Sequence, residues 1–392
     1  MTDDFVPLSV QDYSRAALAT DVRRGAEALS FPLLGLFGEV GSLLSEVKKK
    51  QRDPITYKAY AAAVNEELGD VLWYFNLVAT KAGVPLAEIV ANLATAEEDG
   101  WAEAPTEPLT FEALQPPVLP TSQNPTAAFE ATLIELAAAV GLLMDDQRNG
   151  DLGKDRRRLR PRLVAILEVL IRAATEAGVT LEAAAVANLS KTRDRWPVEK
   201  TYPTLFDVTA PLEEQLPQSL TIDIFEREVG GKLYVFQTCN GINIGDRLTD
   251  NAMEADDYRY HDVFHYAYVA VLGWSPVTRR LFKLKRKSMP RVDEAEDGAR
   301  AALIEEGIAT WIFGQAIEMD FFEGVEAGGL PFDLLKQVRQ FVSGYEAEAC
   351  PTWLWEEAIL QGYAAFRYLR QHRRGRVHLD TENRRLLIEP LP

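Results

Sequence analysis

Glu66-Glu67-Leu68-Gly69-Asp70-Val71-Leu72-Trp73-Tyr74-Phe75 is the stretch on which the fold turns. Leu68, Val71, Leu72 and Phe75, with Val64 before them and Val78 after, recur at three- and four-residue steps, the period of an amphipathic helix. The same step runs through Leu33, Leu36, Phe37, Val40, Leu43, Leu44 and Val47. Asp53-Pro54 interrupts the pattern between Arg52 and Thr56, because proline disfavours a helical conformation for the residue before it. The spacing predicts two helices joined by a short break, within a helical region from about Leu8 to Trp101.

These two helices carry Glu39, Glu46, Glu66, Glu67 and Asp70. Glu39 and Glu46 lie two helical turns apart on one face, and Glu67 shares a face with Asp70. Carboxylates converging between antiparallel helices repel one another unless a cation neutralises them. Oxygen-only ligands suit a hard ion, Mg²⁺ or Mn²⁺, which can grip phosphates and activate a water. A solvated acidic helix face has the same spacing and stays open as a reading.

Gly38-Glu39-Val40-Gly41-Ser42-Leu43-Leu44-Ser45-Glu46-Val47-Lys48-Lys49, followed by Glu66-Glu67-Leu68-Gly69-Asp70, resembles the MazG-like all-α NTP pyrophosphohydrolases. That family's pattern is ExxE, a loop, then ExxD. Glu67 and Asp70 match the second half, and Glu39 matches the first glutamate. Ser42 stands where the second glutamate is usual, which leaves the number of metals open, with Glu46 one turn on as a replacement ligand. The resemblance covers about the first hundred residues. It implies Mg²⁺ (Mn²⁺ as substitute) on Glu39, Glu46, Glu67 and Asp70. It also implies Glu39, Glu67 and Asp70 as catalytic groups, and cleavage of an NTP or dNTP to the monophosphate and pyrophosphate. The setting would be nucleotide-pool control or defence.

The segment echoes itself. Lys81-Ala82-Gly83-Val84 returns as Glu176-Ala177-Gly178-Val179, Ala91-Asn92-Leu93 as Ala187-Asn188-Leu189, and Val40-Gly41 with Leu43 as Val140-Gly141 with Leu143. The second copy has approximately Ala139, Pro161, Arg162 and Ala165 where the first has Glu39, Glu66, Glu67 and Asp70, so it holds no comparable metal. It ends in Asn188-Leu189-Ser190-Lys191-Thr192-Arg193-Asp194-Arg195, similar to the family's terminal segment associated with nucleotide contacts. The expectation is a composite site: metal on the first copy, nucleotide on Asn188, Lys191, Arg193 and Arg195 of the second. Simple balancing of the acidic surface by these cations is the alternative.

Outward from these copies, the proline-rich WAEAPTEPLTFEALQPPVLPTSQNP reads as a semi-extended linker. LTIDIFERE, Val229-Gly230-Gly231-Lys232 and LYVFQT read as a β-hairpin, after which aromatic-rich helical patterns return. The expected fold class is therefore mainly α: a MazG-like helical bundle built as a pseudo-dimer of two hairpin repeats, then an α+β C-terminal domain. Expected domains are a catalytic repeat at 1–105, a linker at 106–125, a degenerate repeat at 126–200 and the α+β domain at 201–392. This last resembles the C-terminal domain that accompanies some MazG-like proteins in bacterial and phage conflict systems.

Two of the 4 histidines stand in Tyr258-Arg259-Tyr260-His261-Asp262-Val263-Phe264-His265. On a helix His261 and His265 face the same way, so His261, Asp262 and His265 form a candidate second metal site, with Glu305 and Glu306 available to complete it. A hydrogen-bonded histidine pair among aromatics is the alternative. Arg279, Lys283, Arg286 and Lys287 would share one helix face as a basic patch: a salt-bridged surface, an anion site or a short nucleic-acid contact.

Composition bounds the rest. With 392 residues and a net charge of -17, the chain repels nucleic acid and anionic membrane but not a nucleotide held through a metal. Only 2 cysteines, Cys239 and Cys350, exclude a disulfide framework. The N-terminus has no signal-peptide pattern, and no uncharged apolar run approaches the ~20 residues of a membrane span. A cytoplasmic protein is expected, its partners a nucleotide and a second copy of itself.

Overall fold

A computed structural model of the chain describes residues 7–21, 29–93, 101–118, 123–150, 152 and 156–391. The chain divides into two compact units, Met1–Val198 and Glu199–Pro392.

The first unit is helical: α1 (Val10–Ala19), α2 (Ser30–Arg52), α3 (Tyr60–Lys81), α4 (Leu86–Ala91), α5 (Ala127–Arg148), α6 (Arg156–Ala177) and α7 (Leu181–Arg195). The break between α2 and α3 falls where the sequence places it. Lys50, almost wholly buried, donates from Nζ to the carbonyls of Pro54 (2.8 Å) and Tyr57 (2.9 Å), and so holds the turn shut. Helix α2 packs on α3 and on α5, and α5 packs on α6. The shorter helices cross over: α4, which follows the first hairpin, packs on α6, and α7, which follows the second, packs on α3.

The sequence echo has a local cause. Gly83 and Gly178 both take left-handed backbone (φ 76° and 73°), which a side chain disfavours. Each ends its helix with the same pair of bonds: Gly83 N–H to Thr80 O and Val84 N–H to Ala79 O, Gly178 N–H to Thr175 O and Val179 N–H to Ala174 O. The Ala-Gly-Val pattern is thus a repeated helix stop of the Schellman type.

The core is drawn from the apolar stripes. Leu36, Val40, Leu43, Leu68, Val71, Leu72 and Phe75 from the first hairpin, and Leu136, Val140, Leu143, Leu163, Ile166 and Leu170 from the second, are all buried. Each such side chain contributes roughly 1.5–3 kcal/mol by leaving water. The proline-rich stretch is a strap rather than a free linker. Val10 N–H bonds to Leu109 O at 2.7 Å, and Phe111 is buried edge-on to Tyr13 at 5.4 Å between ring centroids. Residues 119–122 of the linker fall outside the described residues. Helix α5 has the length and apolarity to cross a bilayer, but Phe129, Leu133, Leu136, Val140 and Leu143 face this core.

The second unit carries β1 (Ser219–Val229), β2 (Lys232–Cys239) and β3 (Ile242–Asn243). Next comes α8 (Asp262–Ala267), which runs on as a π-helical turn over Tyr268–Leu272. Then follow α9 (Pro276–Phe282), α10 (Pro290–Ala295), α11 (Ala299–Ile317), α12 (Phe332–Phe341) and α13 (Thr352–His372), and finally β4 (Arg374–Asp380) and β5 (Arg385–Glu389). The strands form one antiparallel sheet in the order β3-β2-β1-β4-β5. Val229 pairs with Lys232 across Gly230 and Gly231, both at positive φ, so the hairpin closes on the two-residue glycine turn read from sequence.

The expected basic patch is corrected here. Helix α9 stops at Phe282, and Arg279 and Arg286 are each 1% exposed. Arg279 pairs with Asp207 (2.6 Å), and Arg286 with Asp297 (2.7 Å) and Glu346 (2.8 Å). Burial of two guanidinium groups demands such partners, since an unpaired charge in the interior is severely penalised. This stretch builds structure rather than an anion-binding face.

Gly69 sets the approach of α7 to α3. A Cβ at Gly69 would lie 2.6 Å from Ala184 O, which is backbone and cannot swing away. Gly69→Ala is therefore expected to lose about 1–3 kcal/mol by overpacking. Gly141→Ala, whose Cβ meets nothing within 4 Å, should be neutral or stabilising. Thermal melts of both variants check this; equal melting temperatures would refute the close approach.

Candidate functional site

Two clusters of ligand-type side chains stand out among the described residues, one in each unit: Glu39, Glu67 and Asp70, and His261, His265 and Glu306. In each trio the ligand atoms lie within 4.8 Å of one another.

The first trio forms between α2 and α3, where helical spacing brings Glu67 and Asp70 of α3 opposite Glu39 of α2. Burial and the nearby charges of Glu39 and Asp70 push the Glu67 carboxyl up to about 8, aided by a hydrogen bond to Glu39 and the charge of Glu66. Helix α7 supplies the balancing groups. Asn188 donates from Nδ2 to Asp70 Oδ1 at 2.8 Å, and Lys191 Nζ reaches Asp70 Oδ1 at 2.5 Å and Glu66 Oε1 at 3.2 Å. The carbonyl oxygen of the Asn188 side chain is buried and makes no hydrogen bond. A cation and a side-chain amide from the second hairpin thus meet the carboxylates of the first. The bare glycine face at Gly69 permits it, since Asn188 Cβ would sit 3.0 Å from a Cβ there.

Other expected site residues go elsewhere. Glu46 is not with the trio: buried, it takes bonds from the Tyr57 hydroxyl and from Lys49 Nζ (2.5 Å). Seven residues of helix carry it about 10 Å from Glu39 along the axis, too far to share an ion. Asp146, one hundred residues on, is its counterpart in the second hairpin, paired with Arg162 at 2.9 Å and Arg158 at 3.2 Å. Arg193 is exposed, while Arg195 is buried with its guanidinium 5.4 Å from the Trp196 ring centroid. Neither is placed against the carboxylates as Lys191 is. Asn92, the first-copy equivalent of Asn188, is spent on structure: it bonds Ala102 N–H and O and Glu88 O, fixing the chain after α4.

In the second unit His261 precedes α8 and His265 follows one turn later, while α11 carries Glu305 and Glu306 across them. His265 Nδ1 lies 2.7 Å from Glu305 Oε1 and Nε2 lies 3.4 Å from Glu306 Oε2. Burial works against a charged imidazole at His265, but Glu305 and Glu306 outweigh it and hold its pKa well above the ordinary value. Asp262, expected as a ligand, lies beside the trio: one oxygen accepts from Gln237 and the other sits 3.2 Å from His261 Nε2. Glu306 takes the place expected for it. Ser275 was missed; its Oγ caps α9 and also donates to Glu305 Oε1 at 2.6 Å. The Ser-Pro start of α9, a helix N-cap followed by proline, was the available signal.

The fold and its sites thus define a helical unit with a carboxylate trio, and an α+β unit with a histidine–glutamate trio. Residues 201–392 match the family model of the MazG C-terminal domain. The chain is also similar to Gene 37 protein of Mycobacterium phage L5, 32% identical over 90 residues, which is 21% of this chain and 79% of that protein. The second unit is thus similar to the MazG C-terminal domain family over its whole matched length, residues 201–392. No solved structure matches it.

Glu67 gives a pH test. Its carboxyl sits at about 8 in the folded chain against an ordinary 4.5. The folded state therefore holds a proton that the unfolded state has released. That contribution to stability is complete below the unfolded value and is lost as pH rises through 8. In metal-free buffer the wild type should lose melting temperature between roughly pH 4.5 and 8, and Glu67→Gln should lose less, by about 2–4 °C for each kcal/mol of repulsion removed. Parallel pH profiles would contradict the crowded-carboxylate account.

Proposed function

We propose that the first unit is a Mg²⁺-dependent nucleotide pyrophosphohydrolase, converting an NTP or dNTP to the monophosphate and pyrophosphate. The observation that carries this is the convergence of Glu39, Glu67 and Asp70 with Lys191 of the second hairpin. Three oxygen donors within reach of one ion fit a hard divalent cation. The crowding that raises Glu67 is the repulsion such an ion relieves. Mg²⁺ held there would neutralise phosphate charge and lower the pKa of a bound water.

The chain's own groups then divide the work. Glu39, Glu67 and Asp70 would hold the cation, and Glu67 would accept a proton from the attacking water. Water oxygen bonds to the α-phosphorus while the bond from that phosphorus to the bridging oxygen breaks, and pyrophosphate leaves. With a cation on Asp70, Lys191 would turn from that carboxylate toward phosphate oxygens, with Asn188 alongside. This is a composite site within one chain, and the exchange of α4 and α7 between hairpins supports reading the unit as a pseudo-dimer. Exposed Leu34 and Phe37 on α2 and Ile134 and Leu142 on α5 support association with a second copy. Pool control or defence is the setting proposed.

Ser42 in place of a fourth carboxylate favours a second reading, a nucleotide-binding regulatory module with little turnover. Incubation with each common NTP and dNTP plus Mg²⁺, with products resolved by chromatography, separates the two. Monophosphate plus pyrophosphate is expected, with Glu67→Ala reducing turnover by roughly 10²-fold or more, the scale of a lost acid–base group. Lys191→Ala should raise KM. Tight binding without turnover supports the module. Diphosphate plus phosphate, or activity that survives Glu67→Ala, would sink the pyrophosphohydrolase assignment.

A further inference from the structure

The histidine–glutamate trio of the second unit plays no part in the proposed reaction, and its hydrogen bonding leaves a gap of one positive charge. His261 Nδ1 lies 2.9 Å from Tyr258 O, which can only accept, so that nitrogen carries its proton. His265 Nδ1 lies 2.7 Å from Glu305 Oε1. Glu305 is 0% exposed, and its oxygens also accept from Ser275 Oγ at 2.6 Å and Val277 N–H at 2.8 Å, so it is a fixed carboxylate acceptor. Both rings in their neutral form therefore present a bare Nε2 lone pair. The Nε2 of His261 is 3.2 Å from Asp262 Oδ1 and 3.9 Å from Glu306 Oε2, and that of His265 is 3.4 Å from Glu306 Oε2. Lone pairs and a carboxylate thus face one another with no hydrogen between them. His265 is 1% exposed, and its Nε2 is buried without a hydrogen-bond partner.

Such an arrangement needs a cation at its centre, either protons on the rings or a metal. We propose that His261, His265 and Glu306 bind a borderline divalent metal ion of the Mn²⁺, Fe²⁺ or Zn²⁺ class. Two imidazoles and one carboxylate, with no sulfur, suit these ions better than Mg²⁺ or Ca²⁺. The outer contacts match what ligating histidines require: each second nitrogen is pinned, His265 by a buried carboxylate and His261 by a backbone carbonyl. The ring of Tyr258 lies flat on His261 at 4.4 Å between centroids and 2° between planes, which fixes the ring's direction. Three protein ligands leave coordination positions open. Glu306 is 42% exposed, so the open side meets solvent. A metal with open, solvent-facing positions can hold water or a substrate oxygen, as a purely structural ion does not. This site stands independently of the reading of the first unit.

The test uses the full chain, stripped with chelator, then titrated with Co²⁺ in excess Mg²⁺ and followed by visible absorption. Imidazole-bound Co²⁺ gives ligand-field bands that carboxylate-bound or free Co²⁺ does not match in position and intensity. Stoichiometric uptake with these bands is expected, retained in Glu67→Gln and abolished in His261→Ala. Glu306→Gln, isosteric and half-exposed, guards against loss of fold. Circular dichroism should show it folded while its Co²⁺ affinity falls by roughly tenfold or more, about 1.4 kcal/mol per tenfold. No uptake by the wild type would overturn the proposal and leave a protonated ion-pair network in its place. Equal uptake by wild type, His261→Ala and Glu306→Gln would do the same, as would uptake lost only in Glu67→Gln.

Discussion

Repulsion among Glu39, Glu67 and Asp70 is the constraint around which the first unit is arranged. Three carboxylates within one ion's reach, partly out of water, cannot all be charged without compensation. Among the described residues the fold answers in two ways. Glu67 keeps its proton up to a pH of about 8, and Lys191 comes across from another helix to sit on Asp70 and Glu66. The first answer arises within the α2–α3 hairpin itself. The second depends on α7, and α7 gets close enough only because residue 69 has no side chain.

That dependence explains the division between the two hairpins. The second has lost the carboxylates, with Ala139, Arg162 and Ala165 in their places, and Asp146, its one buried acid among the described residues, is neutralised by Arg158 and Arg162. It keeps the groups that complete the first hairpin's cluster, Asn188 and Lys191. The first hairpin shows the converse: Asn92 is turned to structural bonds, and the sequence Ala94-Thr95-Ala96-Glu97-Glu98 after it contains no lysine or arginine.

Much of this was legible in the sequence. The helical stripes of α2 and α3, the Asp53-Pro54 break and the Gly230-Gly231 hairpin depend on local steps that a single chain displays. Glu39, Glu67 and Asp70 were legible because helical spacing and a motif agreed. What sequence could not give was long-range. Glu46 shares a face with Glu39, yet Tyr57 and Lys49 capture it. Arg195 reads as a free cation but packs against Trp196. The basic stretch after Trp274 looked like surface because its partners Asp207, Asp297 and Glu346 are scattered along the chain. Strands β4 and β5 lie outside the sequence reading although Val377 and Leu379 alternate with Arg376, His378 and Asp380 at a two-residue period. In the histidine site the ligand adjacent in sequence, Asp262, gave way to Glu306, which α11 brings across.

The central claim is that one cation site is completed by groups from both hairpins. Its most direct test is Mn²⁺ affinity, read by electron paramagnetic resonance in the absence of nucleotide, across the cycle of wild type, Asp70→Asn, Lys191→Met and the double variant. Lys191 competes with the metal for Asp70, so Lys191→Met should tighten Mn²⁺ binding several-fold in the wild-type background and leave it unchanged when Asp70 is asparagine. The corresponding coupling is on the order of 1 kcal/mol. A Lys191→Met effect of equal size in both backgrounds, or none in either, would contradict the account.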